Sequence, residues 1–505
     1  MKKIITYIVS AFATACMLVS CNLELEPTTA IVIKDDNPVI YTYQDLNEFE
    51  ARIMSYFRSL HGGSLKCIED VMLDEFNATA GFGNNYGGVH RTDASYTSSD
   101  DYVESYWSSH YYAIKDYNFL IDALYDEDNI PEGAENAATL IQGEAYMFRA
   151  DAYLNLVRHF GKDYDPTDAA SLGVPLVLHY DLDARPSRNT VHEVYKQIKE
   201  DLDSAAVRLA DVPGEVGAIY PTIDAVNFLL ARYYLDVEDY DNAITYADKV
   251  ISTGKYALSK NATEMEAEYQ NDAGTEPIMQ MYGSSSEMPG SVTLYTNMGG
   301  DDKYGVVSNA LFLPTKKLVD SYGAGDLRKA HWFASTKFYT KVNGNYYRGD
   351  FLSFVKYYGN PDLQTNNIYN GAHKTKPYKI GEMYLVKAEA QAQNGNVPGA
   401  KSTLKILQTA RGGTQTGGQL EDVQDEWFRE TPGDGLRLSC LKRWHVGFAA
   451  REGQPGAVQK NVLMTGDYYT GRAFDADDYH LVWPIPAGEI RLNPNLEQND
   501  NYGRQ

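Results

Sequence analysis

Pro221–Thr253 reads PTIDAVNFLLARYYLDVEDYDNAITYADKVIST, and its two halves carry different helical signatures on either side of one turn. In the second half, Tyr240, Ala243, Ile244, Ala247, Val250 and Ile251 recur at helical spacing, so a single apolar stripe runs down one face. In the first half, Ile223, Val226, Leu230, Tyr233 and Val237 form one stripe while Phe228, Leu229 and Leu235 form another, which predicts a helix buried on more than one side. The short EDYDN link makes the two helices antiparallel. Such a pair cannot bury its apolar faces alone, so the chain is expected to stack several.

The arrangement recurs in Gly381–Arg411, where Ala388, Val397 and Ala400 repeat the spacing of Ala231, Tyr240 and Ala243, with the turn QNGNVPG in the place of EDYDN. Small residues at the crossings let helices approach closely, which is tetratricopeptide-like logic. A third pair is read at Tyr106–Tyr125 and Asn136–Phe160, and Thr190 with Glu193 forms a capping box ahead of Val191, Val194, Ile198, Leu202, Ala205 and Leu209. Thr42 with Asp45 offers a similar start before Leu46, Phe49, Ile53, Phe57 and Leu60. The fold class is therefore mainly α, a helical-pair scaffold with a variable lobe of loops and short strands. That lobe falls at 256–378, between an N-terminal helical region (41–255) and a C-terminal one (379–505). Its strand-like runs are VTLYT and KFYTKV, and Trp332 is expected on a strand there, whereas Trp107 reads as a structural helix residue.

With 505 residues, 43% of them hydrophobic, the chain buries a large core, and its net charge of −24 without a basic cluster argues against nucleic-acid partners. Lys2 and Lys3 followed by an apolar run to Val19 have the layout of a secretory signal over 1–20, and LVSC at Leu18–Cys21 resembles a lipobox. Cys21 is then the lipidation site and 21–40 a tether to a membrane. Cys67 and Cys440 remain in the body, too few for a disulfide framework, and two buried thiols are the default reading.

Phe76–Tyr102, FNATAGFGNNYGGVHRTDASYTSSDDY, loses helical period and is expected to be a long exposed loop. Its aromatics and amides suit sugar recognition, which needs flat apolar faces for pyranose C–H groups and paired polar groups for hydroxyls. Candidate ligand contacts are Phe82, Asn84, Asn85, Tyr86 and Arg91, with Tyr295 and Tyr304 from the lobe across from them. GFGNNYG lacks the strand and helix that a phosphate-cradling loop requires. HExxH, GxSxG and paired CxxC motifs are absent, so no catalytic residue is assigned. No cofactor or metal ligand is expected, although the acidic clusters Asp126–Asp128 and Asp475–Asp478 leave room for one structural calcium despite lacking EF-hand spacing.

Six segments, in order, resemble the SusD/RagB family of outer-membrane lipoproteins: GEAYMFRADAYLNLVRHFG (Gly143–Gly161), GVPLV (Gly173–Val177), TVHEVYKQIKEDLDSA (Thr190–Ala205), YKIGEMYLVKAEAQAQNG (Tyr378–Gly395), GDGLRLSCLKRW (Gly433–Trp444) and LVWPIPAGEIRLNPNLEQNDNY (Leu481–Tyr502). The chain departs from the family pattern at Asp434, where Glu is usual, at Ser439 or Cys440, where Asp is usual, and at Ser187, which separates Pro186 from Arg188. The resemblance implies a tetratricopeptide-like scaffold and a lipid-anchored protein on the outer face of the outer membrane. It also implies capture of oligosaccharides for a SusC-like TonB-dependent transporter barrel, with ligand contacts from Phe76–Tyr102 and Met281–Lys356. Peptide capture on the same scaffold, and a lipid-anchored glycoside hydrolase, are the alternatives.

Overall fold

The computed structural model describes Ile40 and residues 42–126, 129–287, 295, 298–301, 305–364 and 371–503. The leader, Cys21, the tether, Tyr304 and, Tyr295 apart, the VTLYT run lie outside the described residues.

The first helix, α1 (Tyr43–Leu60), starts at the capping box: Thr42 accepts from Asp45 N, and Asp45 accepts from Thr42 N. It buries Leu46, Ile53, Phe57 and Leu60. There follow α2 (Gly63–Met72), β1 (Phe76–Ala78) and the short α3 (Gly87–Arg91). Next come α4 (Asp101–Ala123), capped by Asp100, and α5 (Glu135–Phe160). The capping box at Thr190 and Glu193 opens α6 (Val191–Arg208), and α7 (Ile223–Asp236) and α8 (Tyr240–Ile251) form the pair that the first stretch predicts. Ala225, Val226, Phe228, Leu229 and Leu230 are all buried on α7, whereas α8 buries only Ala243, Ala247 and Val250 outright.

The lobe holds α9 (Ala262–Tyr269), β2 (Pro277–Met279), β3 (Met298–Asp301), β4 (Gly305–Ser308), β5 (Phe312–Pro314), α10 (Lys316–Asp320) and α11 (Leu327–Trp332). The long strands β6 (Phe333–Val342) and β7 (Asn345–Phe354) and the short β8 (Tyr378–Lys379) follow. The C-terminal part contains α12 (Ile380–Gln393), α13 (Val397–Ala410), α14 (Leu420–Glu430), α15 (Arg437–Arg443), α16 (Pro455–Gln459) and α17 (Ala487–Leu492).

Packing runs continuously from α4 to α5, α6, α7 and α8, and then directly to α12 and α13, so the two halves of the sequence form one helical array. Buried arginine–carboxylate pairs link neighbouring and next-but-one members. Arg149 on α5 holds Asp201 on α6 at 2.8 and 2.6 Å, Arg158 holds Asp236 on α7 at 2.7 and 3.0 Å, and Arg232 on α7 grips Glu382 on α12. Such pairs add little net stability over an apolar alternative, and their best-attested role is to set which residue of one helix faces which of the next.

Sheet order in the lobe is β3-β4-β6-β7, with β6 and β7 antiparallel in register from Phe333↔Phe354 to Val342↔Asn345. Their link, Asn343–Gly344, has φ of 50° and 85°, the two left-handed residues of a type I′ hairpin turn. Trp332 is not on a strand: it ends α11 and is fully buried against Tyr269, because Asp326 caps a helix too short for its period to show. Cys67 and Cys440 are buried and unbonded, and burial pushes both thiols up to about 12.

Candidate functional site

Phe76–Tyr102 is not the exposed loop its composition suggests. β1 pairs with β5, Ala80 N donates to Val462 O at 2.7 Å and Met464 N to Ala78 O at 2.9 Å, so the segment enters from between a remote strand and a remote extended segment. It then folds through successive turns, with Asn85 N donating to Phe82 O at 3.0 Å and Gly87 N to Asn84 O at 2.9 Å. Gly83, Asn84, Tyr86 and Thr92 have φ of 60°, 62°, 55° and 45°. A left-handed Tyr or Thr is an uncommon conformation that costs about 1–3 kcal/mol and persists only where its surroundings hold it. Gly87 leaves room for the Asn84–Arg91 contact: a Cβ there would lie 2.1 Å from Asn84 Oδ1 and 2.9 Å from Arg91 Nη1, so a larger residue displaces the amide.

Those two atoms are the centre of the site. Arg91 donates from Nη1 to Asn84 Oδ1 at 2.8 Å, from Nε to Asp93 at 2.7 Å and from Nη2 to Ser95 Oγ at 2.9 Å. The guanidinium also reaches the Tyr469 hydroxyl at 3.5 Å. Burial would lower the Arg91 pKa, but hydrogen bonds to Asp93 and Tyr469 outweigh it and hold it above the usual value. Burial would raise Asp93, and bonds from Ser95 and Arg91 outweigh that in turn, so both groups stay charged. Asn84 and Asn85 are exposed beside this pair, and Tyr468, 49% exposed, adjoins through its carbonyl, which with His90 O accepts from Arg451. On the other flank Gly81 lies against Thr340 of β6. Tyr339, next to Thr340 on β6, faces the opposite side of the hairpin, where it pairs with Tyr346 at 5.7 Å with Lys341 above the Tyr346 ring, away from Gly81. The arrangement offers amides, a charged guanidinium–carboxylate pair and an exposed phenol ring on a rigid support.

The candidate residues thus divide. Asn84 and Asn85 are exposed and Arg91 half-buried, in mutual contact or adjacent. Phe82, Tyr86 and Tyr295 are 6%, 4% and 2% exposed and present no free ring face. Phe82 meets Phe312 and Tyr469 edge-on, Tyr86 stacks on Tyr102 at 3.9 Å, and Tyr295 stacks on Phe76 at 4.2 Å while its hydroxyl donates to Asp70 at 3.1 Å. Aromatic rings in a tight loop fill that loop's own core first. The residues missed were Tyr468 and Tyr469, whose signal was two adjacent tyrosines between Gly466 and Gly471. Among the described residues no group of three or more His, Cys, Asp or Glu side chains is placed to hold a metal ion.

Comparison with known proteins places this geometry. One family model, described as starch-binding associating with outer membrane, matches residues 52–235, and a second, described as the SusD family, matches 334–502. Together they span well over half of the sequence. The chain belongs to the SusD/RagB family. It is 26% identical to the starch-binding protein SusD of Bacteroides thetaiotaomicron, over 81% of this chain and 80% of that protein. It is also 26% identical to the SusD-like protein P2 of Formosa agariphila, over 80% and 82% of the two chains. Among solved structures, a SusD superfamily protein from Bacteroides thetaiotaomicron superposes with a TM-score of 0.72 at 22% identity, covering 90% of this chain and all of that one. A laminarin-binding SusD-like protein gives 0.69 at 18%, over 92% and 100%. These likenesses agree with the helical array and leave the site to be argued from its own residues.

Proposed function

We propose that this SusD/RagB-family chain is a non-catalytic, lipid-anchored protein of the outer membrane that captures oligosaccharides and delivers them to a TonB-dependent transporter. The observation that carries the reading is the strained 82–95 loop, in which left-handed Asn84, Tyr86 and Thr92 are held in place so that exposed Asn84 stands fixed on Arg91, whose guanidinium also meets Tyr469. Backbone strain concentrated in one loop is typical of binding loops, and a fixed amide and guanidinium with a phenol ring beside the guanidinium suit the alternating polar and apolar surface of a pyranose. The starch-binding and laminarin-binding relatives support glycan as the ligand class. The lipobox-like LVSC at Leu18–Cys21 supports membrane attachment, and the family description supports the outer membrane.

The test is retention of the full-length protein, in detergent, on immobilised starch, laminarin and unrelated peptides, with release of reducing ends followed in the same wells. Retention on a glucan without product supports capture. Release of reducing ends would make the protein a hydrolase, and retention on peptides alone would transfer the site to the peptide reading.

A further inference from the structure

A separate cavity of ≈ 580 Å³ opens between the segment after α5 and the C-terminal segment, and no residue of the 82–95 loop lines it. Its volume falls in the usual range for small-molecule sites. Lys442 and Arg188 line it although they are only 6% and 7% exposed. Every hydrogen-bond acceptor of theirs is a backbone carbonyl. Lys442 Nζ donates to Arg158 O and Gly161 O. Arg188 donates to Gly173 O at 2.7 Å, Leu172 O at 3.0 Å, Glu497 O at 3.1 Å and Phe160 O at 3.2 Å. Among the described residues neither forms an ion pair with a carboxylate, which is unusual for cations so deeply placed. The C-terminal carbonyls of α5 supply about half a negative charge, against two full positive ones, so the end at Lys442 and Arg188 is electropositive, while Asp163, Asp477, Asp478 and Asp500 line the rest of the cavity. Burial lowers Lys442 to about 8 and Arg188 to about 10, and the carboxylates that pull the other way, Asp163 and Asp236 for Lys442 and Glu497 and Asp500 for Arg188, do not restore them.

The mouth has a different character. Tyr479, 41% exposed, packs against His480 at 3.9 Å and Tyr502 at 5.2 Å and keeps the rest of its ring in solvent, with Lys162, Asp477 and Asp500 exposed among the lining. Exposed carboxylates accept hydroxyl donors but repel a polyanion, so the cavity suits a ligand with many hydroxyls and a single acidic group.

We propose that this cavity is a second saccharide site built for a sugar acid, with the carboxylate of a uronate residue against Lys442 and Arg188 and its ring over Tyr479. The assignment does not rest on the loop site: its failure leaves glucan capture by Asn85 and Tyr468 untouched. The experiment is calorimetric titration of the full-length protein in detergent with a glucuronyl-glucose disaccharide, with cellobiose as its neutral counterpart, and with acetate as the bare carboxylate. The acid disaccharide is expected to bind saturably and at least tenfold more tightly than either control. Lys442→Met and Tyr479→Ala should each weaken it at least tenfold. Because Lys442 also closes the end of α5, its variant is checked by thermal melting, and exposed Tyr479 keeps the location testable if that variant does not fold. Equal binding of cellobiose would overturn the acid assignment, equal binding of acetate would overturn the saccharide, and unchanged affinity in Tyr479→Ala would overturn the location. Absence of saturable binding would overturn the whole.

Discussion

Arg411, fully buried at the end of α13, joins the lobe to the helical array, and its removal gives the sharpest test of how the two are held. Its Nη1 and Nη2 donate to Glu276 at 2.6 and 2.8 Å, Nε and Nη2 reach Glu430 on α14, and Nη1 also meets Ser259 O at 3.0 Å. Arg411→Met keeps the apolar stem and strands both carboxylates. Breaking a buried pair in this way costs about 3–5 kcal/mol. The low end is expected here, because Arg328 still holds Glu430 at 2.9 Å and Ser259 N still donates to Glu276 at 2.8 Å. Burial alone would raise Glu430, but Arg411 and Arg328 outweigh it and hold its pKa at about 2. A folded-state value below the ordinary 4.5 contributes stability that is present above pH 4.5 and lost as the pH falls through about 2. The gap between the parent and Arg411→Met should therefore be wide at pH 7 and narrower at pH 3. Urea unfolding at both pH values measures it, with Glu276→Gln/Arg411→Met expected to recover at least about 1 kcal/mol as one stranded charge is removed. A loss below about 1 kcal/mol at pH 7, or a double variant no more stable than the single, would refute the reasoning.

Gly87→Ala should turn Asn84 off Arg91, because the new Cβ lies 2.1 Å from Asn84 Oδ1; as Asn84 is an exposed side chain free to swing away, stability should fall by no more than the one hydrogen bond lost, about 1 kcal/mol, while glucan retention falls. Gly344→Val places a β-branched residue at φ 85° in the hairpin turn, so β6 and β7 should lose amide-exchange protection while the helical array keeps its own. Burial and the neighbouring Glu69 raise buried Asp70 to about 7, so its contribution is present below pH 3.8 and lost as the pH rises through about 7; denaturant midpoints should fall across that window and flatten in Asp70→Asn.

The helical array was legible because apolar spacing is local: the two signatures in Pro221–Thr253 and the capping residues Thr42 and Thr190 act within a few residues of themselves. What joins the helices was not. Arg149 meets a partner 52 residues away and Arg232 one 150 away, and no local pattern marks such pairs. The site was legible in part. Asn84, Asn85 and Arg91 were read from their chemistry, but the same glycines that suggested an open loop permit its close packing, and the covers of Phe82 and Tyr86 include Phe312, Tyr469 and Tyr102. Gly81 and Gly87 are small because Thr340 and Asn84 occupy the space beside them.

The account rests most directly on the loop as the glycan site. Calorimetric titration of the full-length protein with soluble laminarin and starch oligosaccharides, in parallel with Asn85→Ala and Tyr468→Ala, tests it, since both side chains are exposed; Asn85 also donates to Phe82 O at 2.6 Å, so its variant is checked by thermal melting. Saturable binding of a glucan, weakened at least about tenfold by each substitution, is the predicted result, equivalent to about 1.4 kcal/mol per contact. Glucan binding that neither substitution changes would contradict it.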